Sequence, residues 1–176
     1  MQYAHAASPS EIAPKIIEGQ TASLAYKWVL TAAHCVTSTD YTKGTYKVYN
    51  TNYIKIGYGT YENTENNTVS VKNIIVHPDF DHITYVRDIA LIELDTDLEQ
   101  TNNTRPVLIS NSTLSSGQNL TVVGWGQTSN NDYTPAKTLM EAQMTTLPDD
   151  DCKAALSTYE GQNGSNICMS HAAQPG

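Results

Sequence analysis

The pattern of apolar and polar positions predicts a chain built mainly of short β-strands. Val69–Val76 is predicted to be a strand. Leu139–Leu147 alternates between apolar and polar residues, as expected of a strand with one buried face. Ile89–Leu94 is almost continuously apolar, which indicates a buried strand. Two further strand segments are predicted: Trp28–Leu30, and the alternating stretch Tyr46–Gly57 with Tyr46, Val48, Ile54 and Ile56 on one face.

One short helix is predicted near the end of the chain. Pro148 and the three acids Asp149–Asp151 are typical of a helix start. A carboxylate is expected to serve as the N-cap, and negative side chains there favour the positive end of the helix dipole. Cys152–Leu156 would form the helix itself.

The composition supports an all-β domain and excludes some partners. The 176 residues suffice for one domain, and the 11 tyrosines, against 1 phenylalanine, suit half-buried pleated surfaces. The net charge of −8 argues against nucleic acid and anionic membrane surfaces as partners. No run of about 18 apolar residues is present, so no membrane span is expected.

Several features predict an extracellular protein. Met1–Lys15 lacks the apolar core of a signal peptide, but the chain carries glycosylation sequons. Their asparagines are Asn66, Asn102, Asn111, Asn119 and Asn163. The three cysteines are an odd number, which leaves at least one thiol without a partner in the chain.

Two polar residues next to apolar runs are the candidates for chemistry. His34 follows the Trp28 strand and is flanked by Ala33 and Cys35; histidine exchanges protons near neutral pH. Asp88 directly precedes the apolar segment Ile89–Leu94. Such residues can meet in space, where the carboxylate orients the imidazole and stabilises its charged form. The alternative is that a lone histidine beside a cysteine is merely structural.

Three motifs together resemble the trypsin/chymotrypsin-like serine proteases, the S1 peptidases. They are TAAHC at Thr31–Cys35, DIAL at Asp88–Leu91 and GWG at Gly124–Gly126. The resemblance implies catalytic roles for His34 and Asp88. It also implies two antiparallel Greek-key β-barrels with the active site in the cleft between them. Residues 16–176 would form a partial peptidase domain, with a first barrel at 16–110 and a second at 111–176, each incomplete.

The resemblance extends to activation and to the cysteines. Residues 1–15 would be a propeptide-like lead, with activation by cleavage between Lys15 and Ile16. Cys152 and Cys168 match a disulfide of the family. The family's partner for Cys35 and two early strands are absent between Gly19 and Trp28, so Cys35 is predicted to be a free thiol or to pair with another chain.

The family's GDSGGP motif, which carries the nucleophilic serine, does not occur in the 176 residues. The chain is therefore expected to lack the nucleophile, oxyanion hole and specificity pocket, and to be inactive by itself. Ser170 is not expected to replace the serine, because no base or oxyanion donors are predicted around it.

Two functions remain open. One is a secreted serine endopeptidase acting on proteins or peptides, with an activating protease and protein inhibitors as partners. The other is a non-catalytic homologue that acts as a binding or regulatory module.

No cofactor or metal is expected. Glu62 and Glu65 lie where some family members bind calcium, but their spacing does not match clearly. The acids and histidines of the loop His77–His82 suggest a metal site. A simpler interpretation is the HPxxD loop that precedes the aspartate in the family.

Overall fold

A computed structural model of the chain describes residues 26–62, 67–107, 109–129, 132–164 and 166–171. Within these ranges it contains eleven strands and one α-helix, so the fold is all-β as predicted. The described residues form two compact units. The first unit comprises those up to Thr60 and from Asn67 to Ile109, and the second comprises Tyr61, Glu62 and those from Ser110 onward.

The first unit contains six strands: β1 (Trp28–Thr31), β2 (Thr37–Asp40), β3 (Thr45–Val48), β4 (Lys55–Gly57), β5 (Thr68–Val76) and β6 (Ala90–Leu94). Four of them form an antiparallel sheet in the order β1-β6-β5-β4. A separate hairpin, β2-β3, follows a 3-10 turn at Ala33–Val36.

The hydrophobic core of the first unit lies against β6. Ala90, Ile92 and Leu94 are all buried, while Leu91 and Glu93 between them are partly exposed. The strand therefore buries one face completely and the other in part, although its sequence is nearly continuously apolar. This core is completed by Val69 and Val71 of β5, Ala33 and Val36 of the 3-10 turn, and Phe80.

The prediction of one alternating stretch over Tyr46–Gly57 was wrong. The structure divides it into β3 and β4, in separate sheets, with a 3-10 turn at Thr51–Tyr53 between them. Asn50 starts this turn, because its side chain accepts a hydrogen bond from the backbone N–H of Asn52 at 3.0 Å. Tyr46, Ile54 and Ile56 still pack against the core, whereas Val48 is exposed.

The described part of the second unit contains five strands: β7 (Asn119–Gly124), β8 (Gln127–Ser129), β9 (Asp132–Pro135), β10 (Met140–Thr146) and β11 (Met169–His171). Three of them form an antiparallel sheet in the order β11-β10-β7, and β8 and β9 form a hairpin. On β10, alternation places Ala142, Met144 and Thr146 on the buried face, as the sequence pattern predicted.

The predicted helix is present as α1 (Asp149–Ala155), but its start differs from the prediction. Pro148 is the N-cap residue and makes no side-chain capping bond. The three acids lie inside the first turn, where they favour the helix dipole without capping it. Cys152 of this helix is bonded to Cys168, so the disulfide implied by the resemblance is confirmed.

None of the helices in the described part of the chain combines the length and the apolar character that crossing a bilayer requires.

Replacing Leu94 by Ala should strongly destabilise the first unit. The Leu94 side chain is 0% exposed, so its truncation is expected to lower the free energy of unfolding by about 2–5 kcal/mol. Leu30→Ala on β1 is the matched control, because Leu30 is 44% exposed and should cost about 1 kcal/mol or less. Urea unfolding measures both; equal losses would contradict the assigned core.

Candidate active site

His34 is presented by the 3-10 turn that follows β1. Ala33 and Val36 point into the core and anchor the turn, while His34 and Cys35 between them are exposed. Thr37 Oγ1 donates a hydrogen bond to the backbone carbonyl of Ala33 at 3.0 Å. This buried bond ties the residue after the turn to its beginning and so holds the backbone that carries His34.

Asp88 is presented by a hydrogen-bonded loop that leads into β6. Asp81 begins this loop, and its Oδ1 accepts hydrogen bonds from the backbone N–H groups of Ile83 at 2.8 Å and Thr84 at 3.2 Å. These bonds hold the pKa of Asp81 below its usual range. Tyr85 and Arg87 have φ values of 59° and 53°, in the left-handed region that non-glycine residues seldom adopt.

The structure brings His34 and Asp88 together through two hydrogen bonds. His34 Nδ1 lies 2.6 Å from Asp88 Oδ2, and the backbone N–H of His34 donates to Asp88 Oδ1 at 2.8 Å. Both carboxylate oxygens are thus engaged by one residue. A carboxylate can only accept, so the contact favours the tautomer protonated at Nδ1 and leaves the Nε2 lone pair available as a base.

A tyrosine that the sequence analysis did not identify packs against this pair. The ring of Tyr85 meets that of His34 edge to face, with 5.7 Å between the centroids. The hydrogen bond to Tyr41, with smaller effects of burial and of the Asp88 charge, raises the pKa of the Tyr85 hydroxyl. In the sequence, the only feature that could have pointed to Tyr85 is its position three residues before Asp88. That spacing alone indicates no function.

Cys35 is exposed and has no disulfide partner within the chain. Its Sγ lies 3.4 Å from Nε2 of His34, within hydrogen-bond distance for sulfur. This contact depends on the rotamers of two adjacent side chains, so it could not be predicted from the sequence.

The remaining predicted site residues lie elsewhere or outside the described part of the chain. Lys15, Ile16, Glu65 and Asn66 fall outside the described residues. Ser170 lies on β11 opposite Thr145. Four sequon asparagines are described, and all four are exposed: Asn102, Asn111, Asn119 and Asn163.

Two side chains of the loop predicted as an alternative metal site make hydrogen bonds within the loop. Nδ1 of His77 accepts a hydrogen bond from the backbone N–H of Asp79 at 3.0 Å, and Asp81 holds the turn described above. Over the ranges that the structure describes, no group of three or more histidine, cysteine or acidic residues is arranged to hold a metal ion.

Acid should loosen the loop that carries Asp88. The folded-state pKa of Asp81 is below its ordinary value of 3.8, so its stabilising effect is complete above pH 3.8. That effect is lost as the pH falls through the lower folded-state pKa. Asp81→Asn keeps an acceptor oxygen but removes the charge, so its stability should fall less steeply with acid. Urea unfolding of both proteins between pH 5 and pH 2 measures the slopes; equal slopes would contradict the assigned role.

The fold is all-β, and an aspartate in a DIAL motif holds Nδ1 of a histidine in a TAAHC motif. Together these features define a trypsin-like serine protease fold. The comparison with family models agrees, since the trypsin model matches residues 12–176. The chain belongs to the trypsin family.

The chain is similar over most of its length to known proteases. It is 29% identical to trypsin II-P29 of Gallus gallus over 148 residues, which cover 81% of this chain and 53% of that protein. It is 28% identical to serine protease Hayan of Drosophila melanogaster over 144 residues, 80% of this chain and 21% of that protein. The chain thus spans about half, or less, of these relatives.

A solved structure described as that of GrC shows the same fold. It aligns with a TM-score of 0.62 and 27% sequence identity, over 83% of this chain and 60% of that chain.

Proposed function

We propose that the 176 residues are part of a serine endopeptidase and supply its base and its orienting acid. The observation that carries the proposal is the 2.6 Å contact between His34 Nδ1 and Asp88 Oδ2 in a member of the trypsin family. With Nδ1 donating to Asp88, Nε2 of His34 keeps a lone pair that can accept the proton of a serine hydroxyl. Asp88 then stabilises the imidazolium that forms.

The nucleophile of this peptidase is proposed to lie outside the 176 residues. They contain no GDSGGP motif, which in the family also supplies the oxyanion hole and the aspartate that receives the new N-terminus. In the complete reaction the serine attacks a peptide carbonyl and His34 returns the proton to the leaving amine. The polypeptide 1–176 by itself is proposed to be inactive.

The proposal includes secretion, zymogen activation and glycosylation. Cleavage after Lys15 by an activating protease would free Ile16, and protein inhibitors would be further partners. Asn102 and Asn111 are the favoured glycan sites, because they lie in exposed loops between strands. Asn119 and Asn163 are less suited, since their side chains hydrogen bond to Thr145 and to the backbone of Leu114.

The test uses the coding sequence on both sides of residues 1–176. The polypeptide that it encodes is expressed in a secreting host, treated with a trace of trypsin and then with a trypsin inhibitor. A fluorophosphonate probe, which reacts with activated serines, is expected to label this protein but not its His34→Ala variant. Labelling that persists in His34→Ala would contradict the proposed role of His34.

The second candidate function is a non-catalytic homologue that acts as a binding or regulatory module. The observation that favours it is the contact of Nε2 of His34 with the thiol of Cys35. The nitrogen that would accept the serine proton in a working triad therefore already has a partner. A stop codon directly after Gly176 would support this candidate over the first.

A further inference from the structure

A chain of three groups ends at the free thiol of Cys35. Asp88 Oδ2 lies 2.6 Å from Nδ1 of His34, and Nε2 of the same ring lies 3.4 Å from Cys35 Sγ. The first contact favours the tautomer with the proton on Nδ1, so Nε2 is the acceptor in the second. The thiol therefore donates its proton toward a nitrogen that is ready to accept it.

This arrangement has the parts that activate a cysteine. The thiolate is the reactive form of cysteine, and an adjacent base that is itself oriented by a third group promotes its formation. The imidazolium that results would stay bonded to Asp88 through Nδ1–H. The other titratable groups at the ring are Tyr85, edge to face with it, and Tyr41, which hydrogen bonds to Tyr85.

The thiol is also accessible and has no competing partner in the chain. Cys35 is exposed, and the two other cysteines are bonded to each other. Reagents from solvent can therefore reach Sγ, and no internal disulfide can form with it.

We propose that Cys35 is a modification site for small disulfides of the glutathione type, activated by His34 and Asp88. Nε2 of His34 takes the proton from Cys35, and the thiolate attacks one sulfur of the small disulfide. The sulfur–sulfur bond of the reagent breaks as the new one to Cys35 forms. The leaving thiolate takes the proton from His34, so the products are a mixed disulfide and one free small thiol.

The modification would also switch off the base, because the added group would lie directly against Nε2 of His34. This site does not rest on the proposed peptidase function, since it needs only residues within the 176.

The experiment measures how fast oxidised glutathione modifies the polypeptide 1–176 at pH 6.5. Mass spectrometry follows the adduct on the tryptic peptide Trp28–Lys43, which contains Cys35. The matched control is Cys35→Ser/Asn52→Cys, which moves the thiol to an exposed position on the 3-10 turn before β4. In that protein the adduct is followed on the peptide that contains position 52.

Wild type is expected to react at least about tenfold faster than the displaced thiol at pH 6.5, because His34 assists proton removal. At pH 10, where ordinary thiols are largely ionised without help, the two rates should agree within about threefold. Equal rates at pH 6.5 would overturn the proposal.

Two further variants test the assignment of the base. His34→Asn and Asp88→Asn should each slow the reaction at pH 6.5 toward the rate of the displaced thiol, with little effect at pH 10. A rate that is unchanged in a folded His34→Asn protein would overturn the proposal. If His34→Asn does not fold, the comparison of wild type with the displaced thiol still decides the question.

Discussion

The polypeptide of residues 1–176, expressed alone, is expected to hydrolyse a mixed peptide library no faster than its His34→Ala variant. Acyl transfer by this family needs a nucleophile, a base and oxyanion donors acting together. Loss of the nucleophile alone costs about 10⁶-fold in turnover in an analogous triad, and the residual activity there depends on an intact oxyanion hole and cleft. In this chain His34 and Asp88 are present but the serine motif is not.

The assay needs one treatment and two controls. Both proteins are treated with a trace of trypsin, which can cut after Lys15, and the trypsin is then inhibited. Turnover that disappears in His34→Ala would contradict the expectation, because it would place a working nucleophile within the 176 residues. A Cys35→Ala variant would then show whether the thiol beside His34 carries that turnover.

Strands with a regular pattern of apolar residues could be predicted from the sequence, whereas the hairpins could not. β10 alternates along its length, and β5 alternates as far as Val71, where its pairing with β6 shifts register. In both strands the burial of the apolar face fixes which side chains point inward. β2 reads Thr-Ser-Thr-Asp and has no apolar period. It forms because it pairs with β3 across a turn, in which Asp40 Oδ1 accepts from the backbone N–H of Thr42 and Gly44 adopts a φ of 61°.

The sequence motifs could predict which residues form the site, but not the side-chain rotamers within it. TAAHC and DIAL identified His34 and Asp88, and the loop geometry then brings them to 2.6 Å. Tyr85 and the thiol contact of Cys35 depend on side-chain torsions and on a left-handed backbone, which local sequence does not specify. Such details follow from packing around the whole loop, so only the folded structure reveals them.

Replacing Asp88 by Asn is expected to lower kcat by about 10⁴-fold in the polypeptide that also carries the family's serine motif, the size of effect known for this substitution in triads of this type. Asp88 engages both Nδ1 and the backbone N–H of His34. An amide can accept through one oxygen only, and its NH₂ group can donate to Nδ1. The imidazole would then carry its proton on Nε2, where it cannot accept one from serine.

The matched control is Asp79→Asn, because Asp79 is an exposed acid in the segment between β5 and β6 that also contains Asp88. It removes the same charge without touching His34, so its kcat should stay within about threefold of wild type, as expected of a surface change. Fluorophosphonate labelling and peptide hydrolysis are measured for both variants. Because Asp88→Asn alters the proton position rather than the substrate site, KM should change little while kcat falls. A large rise in KM with unchanged kcat would mean that Asp88 acts in substrate binding and not on the histidine.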